Sequence, residues 1–506
     1  MKVRVPPIGI EIEGIVHRSE AYMGHASTYD LKERVQERLG NFVSFEGGYS
    51  NSGSRLFEVK TNPSTDIEKA TDELSGHIRH MHNVMSEYHR EVNSSIIERQ
   101  REIDADTAGM DEDEKQEYFM YLDRDGEDEN DQRLFFAGSI PRAGDGYNVY
   151  NSEKYGGTHE YAAGLHLHAG VPFEEQEAVA KKLEPYAPLL TALTASSPFD
   201  HHGNPEWASY RMMCRADARR GDVPKAPYFY RHGESFEGGA KVSRPETVEC
   251  VVMDSTSNTQ DIACVAAIYQ GLVCKAMQSD SMDCKLEGAE KIDLEHTGNM
   301  SRVCKDGLDA ELLCTDGSTL TAREAVSDML NELSPYLQAI GTEEIARHAE
   351  TIMREGTSAD RQVKLYKDES RKFEVDGRRE ELLEELSQRV FSKPFESLSA
   401  EEHRKIFENN ASYEGSEAIY MRQKTAAIAD VVERSLVRES LEMAREGRGK
   451  QTAEQPYGIK SRESSVVSQE NIEAKLSAQG QVLEVEVDLS QQNAESEKEQ
   501  NTLALA

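Results

Sequence analysis

The sequence predicts an α+β fold, from three observations. Short β-prone segments and helical segments alternate irregularly, without the regular spacing of βαβ units, which disfavours a doubly wound parallel sheet. Two segments far apart in the chain, Gly9-Ile10-Glu11-Ile12-Glu13-Gly14 and Gly164-Leu165-His166-Leu167-His168-Ala169-Gly170, alternate apolar and polar residues with a period of two. From about residue 321 the text turns helical and charged.

Each element follows from local pattern. Residues 1 to about 85 read as strand, helix, strand, helix. Leu56-Phe57-Glu58-Val59-Lys60 alternates, Asn62-Pro63 breaks the strand, and Ser64 or Thr65 is placed to cap a helix beginning near Asp66. Residues about 88–133 read as a charged insertion containing Asp111-Glu112-Asp113-Glu114 and an Asp-rich run from Asp123 to Glu129. That run lacks the downstream glutamate of a calcium-binding helix–loop–helix motif. A strand is expected near Leu134–Ser139, another over 163–171, and helices around 174–195. Thr247–Met253 is strongly β-prone, and 258–277 reads as an apolar helix capped by Ser257 or Asn258. Charged helices follow over 323–333, 342–354, 358–372, 378–390 and 417–445. The expected organisation is a main domain over 1–375, a helical extension over 376–450 and a disordered polar tail over 451–506, which has no aromatic residue after Tyr457.

Composition narrows the function classes. A formal net charge of −35 over 506 residues opposes approach to nucleic-acid backbones and anionic membranes. The chain has no apolar run of about 18 residues, so no transmembrane helix is expected. The first residues lack the apolar stretch of a signal peptide. The seven cysteines are odd in number and form no Cys-x-x-Cys pair, which argues against a disulfide framework or zinc site and suits a reducing cytoplasm.

Chemistry concentrates on the alternating strands. Residues i and i+2 of a strand share a face, so Glu11 and Glu13 project together, as do His166 and His168. Glu58 and Glu249 add two more carboxylates from β-prone segments. Several carboxylates with an imidazole suit Mg2+ or Mn2+, and Mg2+ in turn usually accompanies nucleotide phosphates. The chain has no Gly-x-x-x-x-Gly-Lys-Ser/Thr loop and no Gly-x-Gly-x-x-Gly motif, so bound ATP would rely on metal ions and arginines. His201-His202 reads as a solvated turn or substrate-access feature, and Trp207 as packing.

The order of segments resembles the glutamate–cysteine ligase type 2 family of carboxylate–amine ligases, within the glutamine-synthetase-like superfamily. The resemblance runs over residues 8–375 outside the insertion. It is carried by Gly9–Glu13, Phe57–Pro63, Gly157-Thr158-His159 with Gly164–Val171, Ala195–Phe199, Ala208–Arg211, Thr247–Glu249 with Met253-Asp254, and Gly356–Gln362. It implies a curved antiparallel sheet with flanking helices, and ATP-dependent amide formation through an acyl phosphate. Glutamate and an amine such as cysteine are the implied substrates, as in glutathione biosynthesis, in the cytoplasm, with no nucleic-acid or membrane partner. Oligomeric state and the identity of the amine stay open.

By this resemblance Glu11 and Glu249 share one metal with His166 or His168, while Glu13 and Glu58 serve another. Glu58 and Glu249 also take part in catalysis, and Arg211 orients a substrate carboxylate or phosphate. Relatives often carry an arginine two residues after the late glutamate; here that position is Val251. Arg55, Arg215 or Arg361 is expected to hold the nucleotide in its place. Two alternatives remain: an amidoligase acting on a peptide or protein acceptor, and a catalytically weakened binding or scaffold member of the family.

Overall fold

The computed structural model describes residues 2–17, 34–35, 37–46, 56–84, 87, 133–135, 163–200, 204–217, 229–231, 246–287, 298–375, 397, 399, 416–446 and 483–486. Eleven strands are named among them: β1 (Lys2–Val5), β2 (Ile8–His17), β3 (Val43–Glu46), β4 (Leu56–Lys60), β5 (Arg133–Phe135), β6 (Gly164–Gly170), β7 (Phe229–Arg231), β8 (Thr247–Asp254), β9 (Glu311–Leu313), β10 (Thr319–Thr321) and β11 (Leu483–Glu486). The main sheet has seven strands in the order β3-β4-β2-β6-β8-β7, with β5 also paired to β2. Every pairing in it is antiparallel. Strands and helices are mixed as the irregular sequence pattern predicts, and the class is α+β.

The period of two gives the sheet unlike faces. Ile8, Ile10 and Ile12 of β2, Phe57 and Val59 of β4, Leu165 and Leu167 of β6, and Val248, Cys250 and Val252 of β8 enter one core and are at most 1% exposed. Helices cover that face, over residues 67–84 and over Phe173–Leu183 and Thr259–Gln278. The intervening residues of the same strands, including Glu11, Glu13, Glu58, His166, His168 and Glu249, therefore belong to the other face.

The Thr259–Gln278 helix is buried along nearly its whole length, which accounts for its almost continuous apolar text. Asn258 is its cap: the side-chain oxygen accepts from the amides of Gln260 and Asp261. Its few polar side chains have work inside the core, with Gln270 donating to the Pro6 and Thr65 carbonyls and the Tyr269 hydroxyl to that of Val248. For the 67–84 helix the cap is Asp66, whose carboxylate accepts from the Lys69 amide, while Ser64 accepts from Asp66 itself. The expected cap at Ser64 or Thr65 thus lies one turn-forming step too early. The strand expected near Leu134–Ser139 is described over Arg133–Phe135.

The later helices fall where charge and periodicity place them, over Ala322–Ile340, Glu343–Ala346, His348–Glu355, Ser358–Val375 and Ser416–Glu446. Val432 and Leu436 of the last one pack with Ala163 and Phe199, while Met443 and Ala444 join the main core. Residues 88–132 of the charged insertion and the 378–390 helix lie outside the described residues, as do Gly157-Thr158-His159 and His201-His202. Within 451–506, expected to be a disordered tail, the described residues are Leu483–Glu486, which pair antiparallel with β1. Among the described residues no helix is long and apolar enough to cross a membrane. Cys250, Cys264, Cys274, Cys304 and Cys314 are buried free thiols and Cys284 is half-buried, in keeping with cysteine used as a small core residue.

Candidate active site

Strand register brings the predicted residues together. On β2, Glu11 stands opposite Lys60 of β4 and opposite His166 of β6, while Glu13 stands opposite Glu58. On β6, His168 stands opposite Gly9 on one side and Glu249 of β8 on the other. Four strands that are remote in sequence thus supply one polar patch, and all four glutamates are buried.

Within the patch His168 is the meeting point. Its Nε2 lies 3.0 Å from Glu11 Oε2 and 3.7 Å from Glu249 Oε1, and its Nδ1 lies 3.4 Å from the Thr247 hydroxyl. His166 approaches Glu249 through Nδ1 at 3.5 Å, and its Nε2 lies 3.3 Å from Arg211 Nη2. Glu13 Oε2 accepts from the Gly164 amide at 2.5 Å, which ties β2 to the first residue of β6. Lys60 Nζ contacts Glu58 Oε1 and lies 3.4 Å from Glu11 Oε1.

Glu11 and Glu58 respond oppositely to their surroundings. Burial opposes ionisation of both. For Glu11 that is outweighed by hydrogen bonds from His168 and Glu58 and by the charges of His168 and Lys60, so its carboxyl is held well below the ordinary range. Burial and the neighbouring Glu11 carboxylate push Glu58 up to about 9, against the pull of Lys60.

The arginines are distributed differently from expectation. Arg211 is 6% exposed and does not stand out as a clamp for a substrate anion. Its backbone amide donates to the Ser197 hydroxyl, which turns the side chain beneath the end of β8. There Nη1 donates to the carbonyls of Val251 (3.4 Å) and Met253 (3.1 Å). Arg361 pairs with Asp261, Nη2 to Oδ2 3.7 Å, and donates to the Gly356 carbonyl, so no recorded contact brings it to the patch. Arg55 lies outside the described residues, as does the side chain of Arg215. Val251 is buried and apolar.

Two polar neighbours of the patch were not among the residues that the sequence reading singled out. Lys60 follows Glu58 by two residues, and the same alternation that was applied to Glu11 and Glu13 would have placed it on this face. Asp254 is fully buried at the end of β8 and accepts from the Ser196 amide (3.0 Å), the Ser197 hydroxyl (2.6 Å) and the Ser209 hydroxyl (3.0 Å). Burial pushes its carboxyl up, against the guanidinium of Arg211 and these donors. Trp207 packs partly against the core and receives Lys305 Nζ over its ring at 4.5 Å.

Among the described residues, no three histidine, cysteine, aspartate or glutamate side chains converge closely enough to hold a metal as they stand. The donor set is nonetheless of the kind that hard divalent cations take, carboxylate oxygens with imidazole nitrogen. The Lys60 ammonium, set against both Glu11 and Glu58, shows that this pair accommodates positive charge. The residues fit such an ion by chemistry. A groove of 1130 Å³ lies elsewhere, between the 67–84 helix and residues Gln338–His348, and contains none of them.

A family model described as glutamate–cysteine ligase family 2 matches residues 7–226 and 238–388. The chain belongs to that family. A relative from Bradyrhizobium sp., which carries the provisional name glutamate–cysteine ligase 2, is 24% identical over 231 residues, covering 42% of this chain and 56% of that protein. A Pseudomonas putida protein of the same provisional name is 27% identical over 228 residues, covering 40% of this chain and 59% of its own. The chain thus spans less than two thirds of the length of these curated relatives. Among solved structures, the complex between the prokaryotic ubiquitin-like protein Pup and its ligase PafA gives a TM-score of 0.45 at 12% identity, over 72% of this chain and 68% of that one. That likeness is too slight to define the fold. For the family member described here, the sheet itself shows that Glu11, Glu58, His166, His168 and Glu249 occupy neighbouring register positions.

Proposed function

We propose that this chain is an ATP-dependent carboxylate–amine ligase that works on the polar face of a glutamine-synthetase-like sheet. It joins the γ-carboxylate of glutamate to cysteine or a related small amine. The observation that carries the reading is the convergence of Glu11 and Glu249 on His168, with the Glu58–Lys60 pair beside it, from four strands of one antiparallel sheet. Family membership supports the same chemistry.

In this reading Glu11, His168 and Glu249 hold one Mg2+ or Mn2+, and Glu13 and Glu58 serve a second. When bound, such ions neutralise charge on the transferring phosphoryl group. The chain's own residues do the rest. His166, fixed at Nε2 by Arg211, keeps its place between β2 and β8 and aims Nδ1 at Glu249. Guanidinium groups only donate, so Nε2 presents its lone pair and Nδ1 carries the proton. Arg211 therefore acts through His166 and through the β8 carbonyls as a positioning residue. The substrate carboxylate attacks the γ-phosphorus of ATP, the bond to the β–γ bridging oxygen breaks and ADP leaves. The amine then displaces phosphate from the acyl phosphate, losing a proton to complete the amide.

Incubation with ATP, Mg2+, glutamate and a panel of amines tests the reading through release of inorganic phosphate and mass spectrometry of the product. Phosphate release that requires both glutamate and an amine, with the matching amide, is the expected result. Absence of phosphate release with every acceptor would sink it.

A further inference from the structure

Two of the four carboxylates of the polar face, Glu11 and Glu58, meet a cation that belongs to the chain. Lys60 ends β4, and its Nζ touches Glu58 Oε1 while lying 3.4 Å from Glu11 Oε1. A single positive group thus spans two carboxylates of different strands, one from each of the two proposed metal sites. The backbone around it is pinned. His77 Nδ1 lies 2.8 Å from the Lys60 carbonyl, the Thr61 amide donates to the Ile10 carbonyl, and the Ile10 amide donates to the Thr61 hydroxyl. Only the side chain has freedom to move, and 31% of it is exposed, against 2% for Glu58 and 9% for Glu11.

Two cations cannot share these carboxylates at such range. An ammonium and a divalent ion a few ångströms apart in a buried setting repel strongly, and the lysine stem has four rotatable carbons on which to leave. Among the described residues, the arginines that the sequence offered are held by other partners. Val251 stands where relatives often carry an arginine, Arg211 is committed to the β8 carbonyls and His166, and Arg361 to Asp261 and Gly356.

We propose that Lys60 is a built-in stand-in for the divalent cations of Glu11 and Glu58, displaced when metal binds and thereby delivered to the phosphates of the nucleotide. The inference rests on the ligase reading above and adds to it a residue and a sequence of events. Lys60 holds the acidic face together before loading, and afterwards supplies the charge that Val251 does not. No bond is made or broken in the exchange; one ammonium changes its partners from carboxylate to phosphate oxygens.

The test uses the full chain and reads binding, not turnover. Mn2+ binding is measured by titration calorimetry, and binding of a non-hydrolysable ATP analogue is measured in saturating Mn2+. Lys60→Gln is expected to tighten Mn2+ binding at least about fivefold by removing the competing charge. The same variant is expected to weaken the nucleotide analogue about tenfold by removing a phosphate partner. Lys60→Met repeats the measurement without a new hydrogen-bonding group, and Lys60→Arg, which keeps the charge, is expected to bind Mn2+ no tighter than the unaltered chain. A merely structural lysine would move both affinities the same way. Unchanged or weakened Mn2+ binding in both Lys60→Gln and Lys60→Met overturns the inference, as does unchanged nucleotide binding. If the unaltered chain binds neither Mn2+ nor nucleotide, the ligase reading itself falls and takes this inference with it, a result distinct from the other two.

Discussion

His168 Nε2 lies 3.0 Å from Glu11 Oε2, although the strand register sets His168 opposite Gly9 and Glu11 opposite His166. The contact therefore runs diagonally across β2 and β6, and Gly9, with no side chain, leaves the path open. His166, directly opposite Glu11, is turned instead toward Arg211 and Glu249. This divides the labour of two histidines that the sequence could not tell apart. His168→Ala is expected to weaken Mn2+ binding by at least about tenfold, the size of a lost ligand-shell contact. His166→Ala should weaken it less. Calorimetric titration of both variants checks the order, and a larger loss for His166→Ala would assign the ligand to the other ring.

Gly164 is where this arrangement is most sensitive to one added atom. A Cβ there would clash with the Arg211 guanidinium at Nη2 and lie 2.9 Å from His166 Nε2. The guanidinium cannot swing clear cheaply, because Nη1 is bonded to the carbonyls of Val251 and Met253. Gly164→Ala is expected to destabilise the fold by about 2 kcal/mol, as overpacking does. In an Arg211→Ala background the clash partner is gone, so the same change should cost much less. Urea midpoints of the two single variants and the double variant measure the coupling.

Asp254 ties together the backbone segments that lead into the Tyr210–Asp217 helix, which carries Arg211. Its carboxylate accepts from Ser196, Ser197 and Ser209, and Arg211 Nη1 lies 3.9 Å away. Removing it strips a fully buried acceptor from several donors at once. Asp254→Ala is expected to cost about 3 kcal/mol, whereas Ser209→Ala, which removes one donor, should cost about 1. Chemical denaturation at neutral pH distinguishes the two.

The fold was legible wherever the apolar pattern had a clear period. The alternation in β2, β4 and β6 named the polar face correctly because each strand is buried on one side by helices. The irregular order of elements was enough for the α+β class. What stayed hidden was long-range and directional. Register decided that Lys60 rather than a distant arginine lies beside Glu11, and no single strand contains that information. For Arg211 the sequence shows a guanidinium but not its hydrogen bonds to the β8 carbonyls. Asp66 was passed over as a helix cap because Ser64 and Thr65 offer the same kind of oxygen one and two residues earlier.

Acid should loosen the seam between the 67–84 helix and the Ser416–Glu446 helix. His82 Nε2 lies 2.9 Å from the Ser440 hydroxyl, and Arg79 Nε donates to the Ala444 carbonyl beside it. Burial lowers the His82 imidazole from 6.5 to about 4. Between those values the unfolded chain binds a proton that the folded chain refuses, so stability rises with pH across the window. The contribution is complete above pH 6.5 and is lost as pH falls toward 4. From pH 7 to pH 5 the loss attributable to His82 is about 2 kcal/mol. His77 and His80 are lowered by burial as well and add to the slope in the same direction. His82→Gln keeps a hydrogen-bonding group for Ser440 without a titrating ring, and is expected to make stability less dependent on pH over this range. Urea midpoints at pH 7 and pH 5 for the two chains measure it: equal losses in both would show that His82 does not carry the acid sensitivity of this seam.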